Sequence, residues 1–496
     1  MRGKMDYSAG VVLALDVGTS SLKGALYSLA DGSLIAESDA SYSLQRPQPM
    51  WVEQLPADWW SALQTTCKTL CTIISAEHIY AVGLTGQVPT MVLVDQVGQA
   101  VAPAISWQDR RAEVEAEWLK QDVGAQQLSE WLGLDMPIDP GWPPARLVWL
   151  ARHRPELIAQ TYKIFMAKDY VGCQLTGAFC SDAWSAKGIN HLLTGKPTAE
   201  YYDCVGLPAS LAPQIKAPHE IIGEITAQAA ELTGLRAGTP VINGSSDAVC
   251  GMIGTGVVGR DNTAFNLTGT SEMIGRSGGH PTSGLLFIPG EVTGAQSILY
   301  GPTQSGGDSL VWYTEFCRTD FADALAAASD APPGARGVVF LPYLAGERAP
   351  IWDSGARGAF IGLLREHDFG CGARAVMEGV AFSVRHVLET AGVHRSPIIP
   401  LRVAGRSARL PLWNQIRADV TGLCVEIVKQ GTSVTLGAAM LAATGIGQFN
   451  NLLEANVLVQ IETTVEPQAS LRSIYDDAYG VFRHAYPALR GMMTVQ

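Results

Sequence analysis

The pattern of apolar and polar positions along the chain predicts a mixed α/β core. In the first ninety or so residues, short apolar runs that favour strands alternate with turn-forming glycine, serine and aspartate residues. A longer stretch has the 3.6-residue spacing of a helix, and a buried strand follows it. The predicted elements are strands at residues 11–18, 22–29, 34–42 and 78–84 and a helix at residues 58–74. Because strands followed by helices recur further along the chain, we expect an α/β fold.

The local pattern of the first hairpin occurs twice. A Gly-Thr-Ser turn at residues 18–20 follows the first strand, and a second one at residues 269–271 follows an apolar strand at residues 262–267. Two such triplets are unsurprising by chance in a glycine-rich chain, but the matching strand context favours a duplicated domain with a nucleotide between the halves. A glycine-rich stretch at residues 244–259 marks the boundary. We therefore predict two domains, residues 1–253 and residues 254–496.

Composition and charge restrict the function classes. The chain has 496 residues, 47% hydrophobic and 17% charged, which excludes a disordered or coiled-coil protein. Its net charge of −12 provides no basic footprint for nucleic acid, so a phosphate ligand needs local backbone donors and a metal. The first apolar run is interrupted by Asp16 and is too short for a signal peptide or a membrane span. With nine scattered cysteines, we expect a soluble, reduced, cytoplasmic protein without a membrane or nucleic-acid partner.

Asp16 and the turn that follows it have the outline of a phosphate or metal site. Glycine lets a phosphate approach the backbone at Gly18, and the hydroxyls of Thr19 and Ser20 add donors. A carboxylate beside such a turn can hold magnesium, directly or through water. The alternative is an ordinary hairpin turn in which the aspartate satisfies its own backbone. The GxxxxGKS phosphate loop is absent from the chain, which excludes a P-loop kinase.

Asp247 ends another apolar strand, at residues 239–242 and the short polar turn after it, and it precedes a glycine-rich helix. An aspartate in that place can accept a proton from a substrate hydroxyl, because the helix N-terminus keeps it ionised. It can equally serve as a structural N-cap. A third passage, residues 341–363, sets Glu347, Arg348 and Arg357 in an apolar frame, which predicts partly buried ion pairing and names no reaction.

Several stretches together resemble the FGGY carbohydrate kinases. They are residues 16–23, 107–110, 269–271, 341–363 and 375–379, with the segment around Asp247. The resemblance is colinear from about residue 11 to about residue 445. Residues 346–350 (GERAP) and 357–363 (RGAFIGL) are most similar to the xylulokinase-like branch.

The resemblance implies two actin-like, ribonuclease-H-type α/β domains with a catalytic cleft between them that closes on ATP and a sugar or polyol. It implies an ATP-dependent carbohydrate kinase in which Asp247 is the general base and Asp16 holds magnesium, possibly through water. The residues implied for ATP and its phosphates are Gly18, Thr19, Ser20, Lys23, Gly269, Thr270, Gly307, Gly405 and Arg406. Those implied for the substrate are Gln87, Asp109, Trp142 and Asp247. A homodimer is a further expectation.

The sequence departs from this pattern at three places. Where xylulokinases have Met-His after the Gly-Gln, this chain has Val88-Pro89, and Ala248 follows the base where an amide is common. Both changes remove polar contacts, so we expect an acceptor other than xylulose, such as a deoxy-sugar or a smaller polyol. Arg406 replaces a glycine on the adenine side, and stacking on the base, contacting a phosphate, hindering ATP and pointing to solvent are all open. A regulatory relative and an actin-like ATPase switch are therefore the alternative functions.

Overall fold

The computed structural model describes residues 10–258, 263–394, 399–429 and 432–493. Its contacts divide the chain into two compact units. Unit 1 comprises Met1–Gly254, Gly290–Ala295 and Thr432–Val459, and unit 2 comprises Thr255–Pro289, Gln296–Gly431 and Gln460–Gln496. The predicted division near residue 254 into two functional domains stays a prediction.

The strands and helices alternate along the whole chain. The strands are β1 (Val11–Val17), β2 (Ser21–Ser28), β3 (Leu34–Ser41), β4 (Glu53–Gln54), β5 (Ile79–Gly86), β6 (Met91–Val94), β7 (Ala104–Ile105), β8 (Lys163–Met166), β9 (Cys180–Ser181), β10 (Gln214–Ile215), β11 (Ile221–Glu224), β12 (Pro240–Ser246), β13 (Ala264–Thr268), β14 (Glu272–Ser277), β15 (Leu286–Ile288), β16 (Ile298–Pro302), β17 (Val339–Leu341), β18 (Ala359–Ile361), β19 (Leu401–Gly405), β20 (Val425–Val428) and β21 (Ile461–Val465). The helices are α1 (Pro56–Cys71), α2 (Glu113–Trp118), α3 (Ala125–Leu132), α4 (Pro143–His153), α5 (Pro155–Ile158), α6 (Ala167–Thr176), α7 (Ala199–Val205), α8 (Ala227–Thr233), α9 (Asp247–Gly254), α10 (Gly290–Thr293), α11 (Asp308–Cys317), α12 (Phe321–Asp330), α13 (Phe369–Thr390), α14 (Pro411–Thr421), α15 (Ser433–Gly445), α16 (Leu452–Ala455) and α17 (Arg472–Met493). The strands and the helix predicted near the N-terminus are confirmed, with ends that differ by a few residues.

Unit 1 is built on a sheet with the strand order β11-β12-β5-β1-β2-β3. Strand β2 is antiparallel to both of its neighbours, β1 and β3. Strand β5 lies parallel to β1, and β12 lies parallel to β5. Helix α1 packs on β2 and β3 through apolar side chains spaced three or four residues apart, which places them on one helix face. These fully buried residues are Trp59, Leu63, Cys67 and Leu70.

Unit 2 repeats the same arrangement in a sheet with the order β15-β16-β14-β13-β19-β20-β21. Strands β13, β14 and β16 are antiparallel neighbours, and β19 lies parallel to β13. Each Gly-Thr-Ser turn therefore joins the first two antiparallel strands of its own sheet and stands beside the end of a parallel strand. The topology supports the expected duplication of one architecture.

Two segments that follow residue 254 belong to unit 1 by packing, and the longer contains α15. This helix lies against α9 and against β1 and β5. The two helices approach closely at glycines: a Cβ on Gly437 would lie 1.8 Å from the carbonyl oxygen of Cys250, and one on Gly254 would lie 1.8 Å from that of Ser433. Backbone-to-backbone packing of this kind tolerates no side chain at either position. Helix α15 thereby supports the strand ends at which the candidate site lies.

Candidate active site

Three parallel strands of unit 1 end at one edge of the sheet, and each delivers a polar residue there. Asp16 pairs in register with Thr85, and Ser246 pairs with Gly86. Gln87 follows β5 directly, and Asp247 begins α9 directly after β12. The carboxyl ends of parallel strands are where open α/β sheets place their ligands. The structure therefore brings Asp16, Gln87 and Asp247, which the sequence analysis proposed separately, to a common edge.

Asp16 and Asp247 interact electrostatically at this edge. Burial raises the pKa of Asp16 to about 7; the charge of Asp247 adds to the rise, and that of Lys23 opposes it. Burial also raises the pKa of Asp247 to about 6, opposed by the N–H of Ala248 and by the charge of Lys187. The Ala248 N–H donates to Asp247 Oδ1 at 2.7 Å, which leaves the other oxygen for a substrate. Two mutually repelling carboxylates suit a site that receives a cation or a proton.

The first Gly-Thr-Ser turn is held from behind by two amide side chains. Gln87 donates through Nε2 to the carbonyl of Gly18 at 3.0 Å and to Gln54 Oε1 at 2.7 Å, and Gln54 donates to the carbonyl of Thr19 at 2.8 Å. The Thr19 hydroxyl donates to Gln87 Oε1 at 3.3 Å and accepts from the indole N–H of Trp107 at 3.0 Å. Gln87 is only 2% exposed, so this side chain positions the turn.

Ser20 and Lys23, the other candidate phosphate contacts of this hairpin, differ in their exposure to solvent. The Ser20 side chain is exposed at the tip of the turn, where a ligand can reach it. Lys23 lies on β2 directly opposite Asp16 in the antiparallel register and is partly buried. Trp107 belongs to a stretch that carries the family resemblance but had no assigned role, and Tyr42, whose hydroxyl donates to the carbonyl of Gly18 at 2.6 Å, had neither. Only the folded chain brings both to the turn.

Asp109, predicted as a substrate contact, is fully buried in an ion pair. Its Oδ1 accepts from Nε of Arg111 at 2.9 Å, and its Oδ2 accepts from Arg111 at 2.7 Å and from the N–H of Val52 at 2.6 Å. Arg111 also donates to Glu53 at 2.7 Å and lies 3.7 Å from the ring centroid of Trp51. Since both carboxylate oxygens are occupied within the protein, the contacts favour a structural task for Asp109.

Trp142 and Lys187 form a part of the site that includes a residue the sequence analysis missed. The ammonium of Lys187 lies 5.3 Å from the ring centroid of Trp142 and 4.7 Å from that of Trp184. It is 4% exposed, and it interacts electrostatically with Asp247. Trp142 also lines an apolar cavity with Leu128, Leu132, Met136, Ile138 and Pro144. Lys187 stands in the sequence without a neighbouring acid or a recognisable spacing, so no pattern could have indicated it.

A second polar cluster is found in unit 2, where the second Gly-Thr-Ser turn lies near the glycines that precede α11 and the glycine that ends β19. The N–H of Gly307 donates to the carbonyl of Gly269 at 2.8 Å, and the N–H of Asp308, which begins α11, donates to that of Thr270 at 3.3 Å. A Cβ on Gly307 would lie 2.8 Å from the carbonyl oxygen of Gly269. The structure thus brings Gly269, Thr270 and Gly307 together beside a helix N-terminus, an arrangement that binds phosphates.

Gly405 and Arg406 adjoin this cluster at the end of β19. Gly405 pairs with Thr268 and has a φ of +109°, and a Cβ there would lie 2.1 Å from the carbonyl oxygen of Thr268. Only glycine fits such a position. The Arg406 side chain is exposed, while its backbone N–H donates to the carbonyl of Thr268 at 3.3 Å. Of the open possibilities for Arg406, the structure shows the side chain in solvent.

The charges of Glu347 and Arg348 interact, as expected, but within the described residues no ion pair in direct contact forms between Glu347 and an arginine. Glu347 Oε2 accepts from the hydroxyl of Ser305 at 2.7 Å, and its other oxygen accepts from the backbone N–H groups of Gln304 and Arg348. Arg348 instead donates to the carbonyl of Thr303 at 2.6 Å. Backbone N–H groups and the Ser305 hydroxyl thus take the positions expected for guanidinium partners, and they join Glu347 to the segment that precedes Gly306, Gly307 and α11.

The residues at the edge of the unit 1 sheet fit a magnesium ion that keeps most of its shell as water and phosphate. The Oδ1 atom of Asp16 is inaccessible to solvent and has no hydrogen-bond partner within the protein. Clusters of three or more His, Cys, Asp or Glu side chains suited to a metal are absent from the described residues. Magnesium is typically held by one or two carboxylates together with substrate phosphates, so a single free carboxylate oxygen is a sufficient anchor.

Comparisons with known proteins agree with this picture. Residues 11–254 match the N-terminal domain of the FGGY family of carbohydrate kinases, and residues 264–446 match its C-terminal domain. The xylulose kinase of Escherichia coli K12 is 30% identical over 97% of this chain and 100% of its own length. The L-xylulose/3-keto-L-gulonate kinase of the same organism is 29% identical over 97% of each chain.

Solved structures lead to the same class. A gluconate kinase from Lactobacillus acidophilus superposes with a TM-score of 0.87 at 27% identity, over 97% of this chain and 98% of that one. A xylulose kinase from Rhodospirillum rubrum gives a TM-score of 0.87 at 27% identity, over 98% and 100%. The fold and the domain matches define a carbohydrate kinase of two actin-like α/β domains. The chain belongs to the FGGY family of carbohydrate kinases, in its xylulokinase-like branch, and is an ATP-dependent enzyme. No helix within the described residues is long and apolar enough to cross a membrane.

Proposed function

We propose that this kinase transfers the γ-phosphate of ATP to a hydroxyl of a small sugar, sugar derivative or polyol other than xylulose, with Asp247 as the general base. The observation that carries the assignment is the pair of carboxylates, Asp16 and Asp247, at adjoining strand ends. The pKa of Asp247, about 6, leaves the group ionised at about pH 7 while keeping it basic enough to accept a proton.

In the proposed reaction, the substrate hydroxyl oxygen forms a bond to the γ-phosphorus as the bond from that phosphorus to the bridging oxygen of ADP breaks. Asp247 accepts the hydroxyl proton, and ADP leaves with the electrons of the broken bond. Magnesium, anchored at Asp16, supplies charge stabilisation for the phosphates when it is bound. Gly18, Thr19, Ser20 and Lys23 contact phosphate at this edge.

The nucleotide side of the proposal rests on unit 2. There the Gly269-Thr270 turn and Gly307 meet beside the N-terminus of α11, and the two glycines carry no side chain that would block a phosphate. Gly405 lies near the adenine, and Arg406, exposed beside it, can reach the nucleotide from solvent.

Two features support an acceptor other than xylulose. Pro89 has no side-chain donor and no backbone N–H, and its carbonyl already accepts from Arg146 at 2.6 Å. Ala248 presents only a methyl group next to the base. Trp142 would form one wall of the acceptor pocket, and Gln87 and Asp109 act by positioning the phosphate turn and the loop after β7.

A coupled ADP-release assay with magnesium-ATP tests this function. The acceptors are ketoses including xylulose, aldoses, deoxy-sugars, polyols and sugar acids, with the wild type and Asp247→Asn run side by side. The amide cannot accept a proton, so turnover should fall by about 100-fold or more. Xylulose turned over faster than every other acceptor would refute the substrate assignment. If no acceptor is turned over while ATP still binds, the regulatory or ATPase-switch alternatives would be favoured.

A further inference from the structure

Lys187 is a buried cation that forms no ion pair with a carboxylate in the described part of the protein. Its ammonium donates to the carbonyl of Trp184 at 3.1 Å and otherwise faces the rings of Trp184 and Trp142. No carboxylate of the described residues lies within 4.0 Å of it. It interacts electrostatically with Asp182 and Asp247 without an ion pair to either. Lys187 therefore has donor capacity left next to the proposed base.

Another buried lysine of the same unit shows what a structural cation looks like. Lys168 lies 2.7 Å from Asp169 and 3.0 Å from Asp182, which compensate its charge. Asp182 also accepts from the Ser245 hydroxyl at 2.8 Å. Asp182, the acid closest in sequence to Lys187, is therefore paired with Lys168 and acts on Lys187 only through its charge. A buried ammonium without such compensation is costly, and an anionic ligand is one way to offset that cost.

We propose that Lys187 binds a carboxylate of the acceptor, and that the substrate class is the polyhydroxy acids, such as aldonates and keto-aldonates. This inference rests on the proposed function and deepens it. A neutral sugar would offer the ammonium only hydroxyl oxygens, whereas a carboxylate supplies a charge-assisted hydrogen bond and neutralises it. The reacting hydroxyl meets Asp247 while the acid group meets Lys187, and the ring of Trp142 covers the carbon chain between them.

The charge state of Lys187 agrees with this role. Burial lowers its pKa to about 8, and the charges of Asp182 and Asp247 oppose the decrease. The ammonium form therefore predominates at about pH 7. Above about pH 8 the ammonium loses its proton, so the binding of an acceptor carboxylate should weaken there.

Matched acceptors and matched variants test the proposal. The acceptor pairs are gluconate with glucitol and xylonate with xylitol, which differ only in a carboxylate against a hydroxymethyl group. The variants are Lys187→Met and, as a control, Lys163→Met. The ammonium of Lys163 donates to the carbonyls of Ser210 and Ala212 at 2.7 and 2.9 Å and has no part in the site. Binding is measured by calorimetry with a non-hydrolysable ATP analogue present, and turnover by phosphorylated product.

The expected result is specific to the acids. Lys187→Met should weaken binding and raise the KM for the aldonates by about 10- to 100-fold more than for the matched alditols, because only the aldonates lose a charge-assisted hydrogen bond. Lys163→Met should behave as the wild type with both. Equal losses for acid and alditol would overturn the proposal, because they indicate a general effect on the pocket or on Asp247. A wild type that prefers neutral acceptors would overturn it as well.

The two proposals fail in different ways. If the wild type phosphorylates no acceptor, the kinase proposal fails, and the calorimetric arm alone decides the role of Lys187. If the wild type then binds aldonates and Lys187→Met does not, the proposal that Lys187 binds an acid is supported. If the wild type binds no aldonate, that proposal is overturned. If the wild type phosphorylates only neutral acceptors, the kinase proposal is supported and the proposal that Lys187 binds an acid is refuted.

Discussion

Removing the charge of Lys187 should make the ligand-free protein more stable while it impairs acid binding. Lys187→Met replaces a buried ammonium by an apolar side chain of similar length between Trp142 and Trp184. The change breaks no ion pair, because Asp182 remains paired with Lys168 and Asp247 interacts with Lys187 only through its charge. Replacing an isolated buried charge by an apolar group is expected to stabilise.

The magnitude follows from the pKa. Burial lowers the pKa of Lys187 from its ordinary 10.5 to about 8, and each unit corresponds to about 1.4 kcal/mol. The charged form therefore costs the folded state about 3 kcal/mol at about pH 7. Methionine also loses the hydrogen bond to the carbonyl of Trp184, worth about 1 kcal/mol, so the net gain is about 2 kcal/mol. If unit 1 unfolds in one transition, this raises its Tm by roughly 4–8 °C.

The pH dependence gives the sign of the effect. The lowered pKa means that the folded state disfavours the ammonium, so the cost is fully present below about pH 8. Between pH 8 and 10.5 the lysine is deprotonated in the folded state but still protonated in the unfolded state. The free-energy cost of burying its charge therefore disappears progressively over this range. The gain in Tm should accordingly be large near neutrality and vanish toward pH 10.5.

Differential scanning calorimetry of the wild type, Lys187→Met and Lys163→Met across this pH range is the assay. Lys163→Met should not gain stability, because it gives up two hydrogen bonds to carbonyls from a partly exposed position. A Tm of Lys187→Met that equals or falls below that of the wild type near neutrality would show that the charge of Lys187 does not destabilise the folded state. A gain that persists unchanged to pH 10.5 would also contradict it, since it would not arise from the charge.

Three further predictions concern the carboxylates. Asp247→Asn should lower kcat by about 100-fold or more with the KM for ATP little changed, measured by ADP release, and an equal rise in that KM would contradict a role confined to proton transfer. Asp16→Asn should abolish the magnesium dependence of the thermal shift that ATP causes, because it removes a carboxylate oxygen without a protein partner; a shift that still responds to magnesium would place the ion elsewhere. Asp109→Asn should lower the free energy of unfolding by about 3 kcal/mol in a denaturant titration, because Arg111 loses a buried partner; a stable variant with a raised acceptor KM would restore Asp109 as a substrate contact.

The sequence was sufficient for the strands, the turns and the repeated architecture, because their signals are local. Apolar runs that end in Gly-Thr-Ser predict both hairpins, and the strand that ends before Asp247 places this residue at the sheet edge. The family resemblance, which several motifs carry together, is confirmed by the domain matches.

Side-chain partners were less predictable, because the fold decides which atoms remain available. Gln87 and Asp109 look like substrate ligands by position, yet their polar atoms are bound to Gly18 and Arg111. Lys187 has no local signal, since Trp142 and Asp247 lie far from it in the chain. Glu347 was expected to pair with an arginine and binds backbone N–H groups instead.

The central claim is that Asp247 drives phosphoryl transfer from ATP to a hydroxyl of the acceptor. Its most direct test is phosphorylated product formed from magnesium-ATP and each acceptor of the panel, measured for the wild type and Asp247→Asn at equal concentration of folded protein. We expect product with at least one acceptor and a loss of about 100-fold or more in the variant, with ATP still bound. Equal rates for the two proteins, or ADP release without a phosphorylated acceptor, would contradict it.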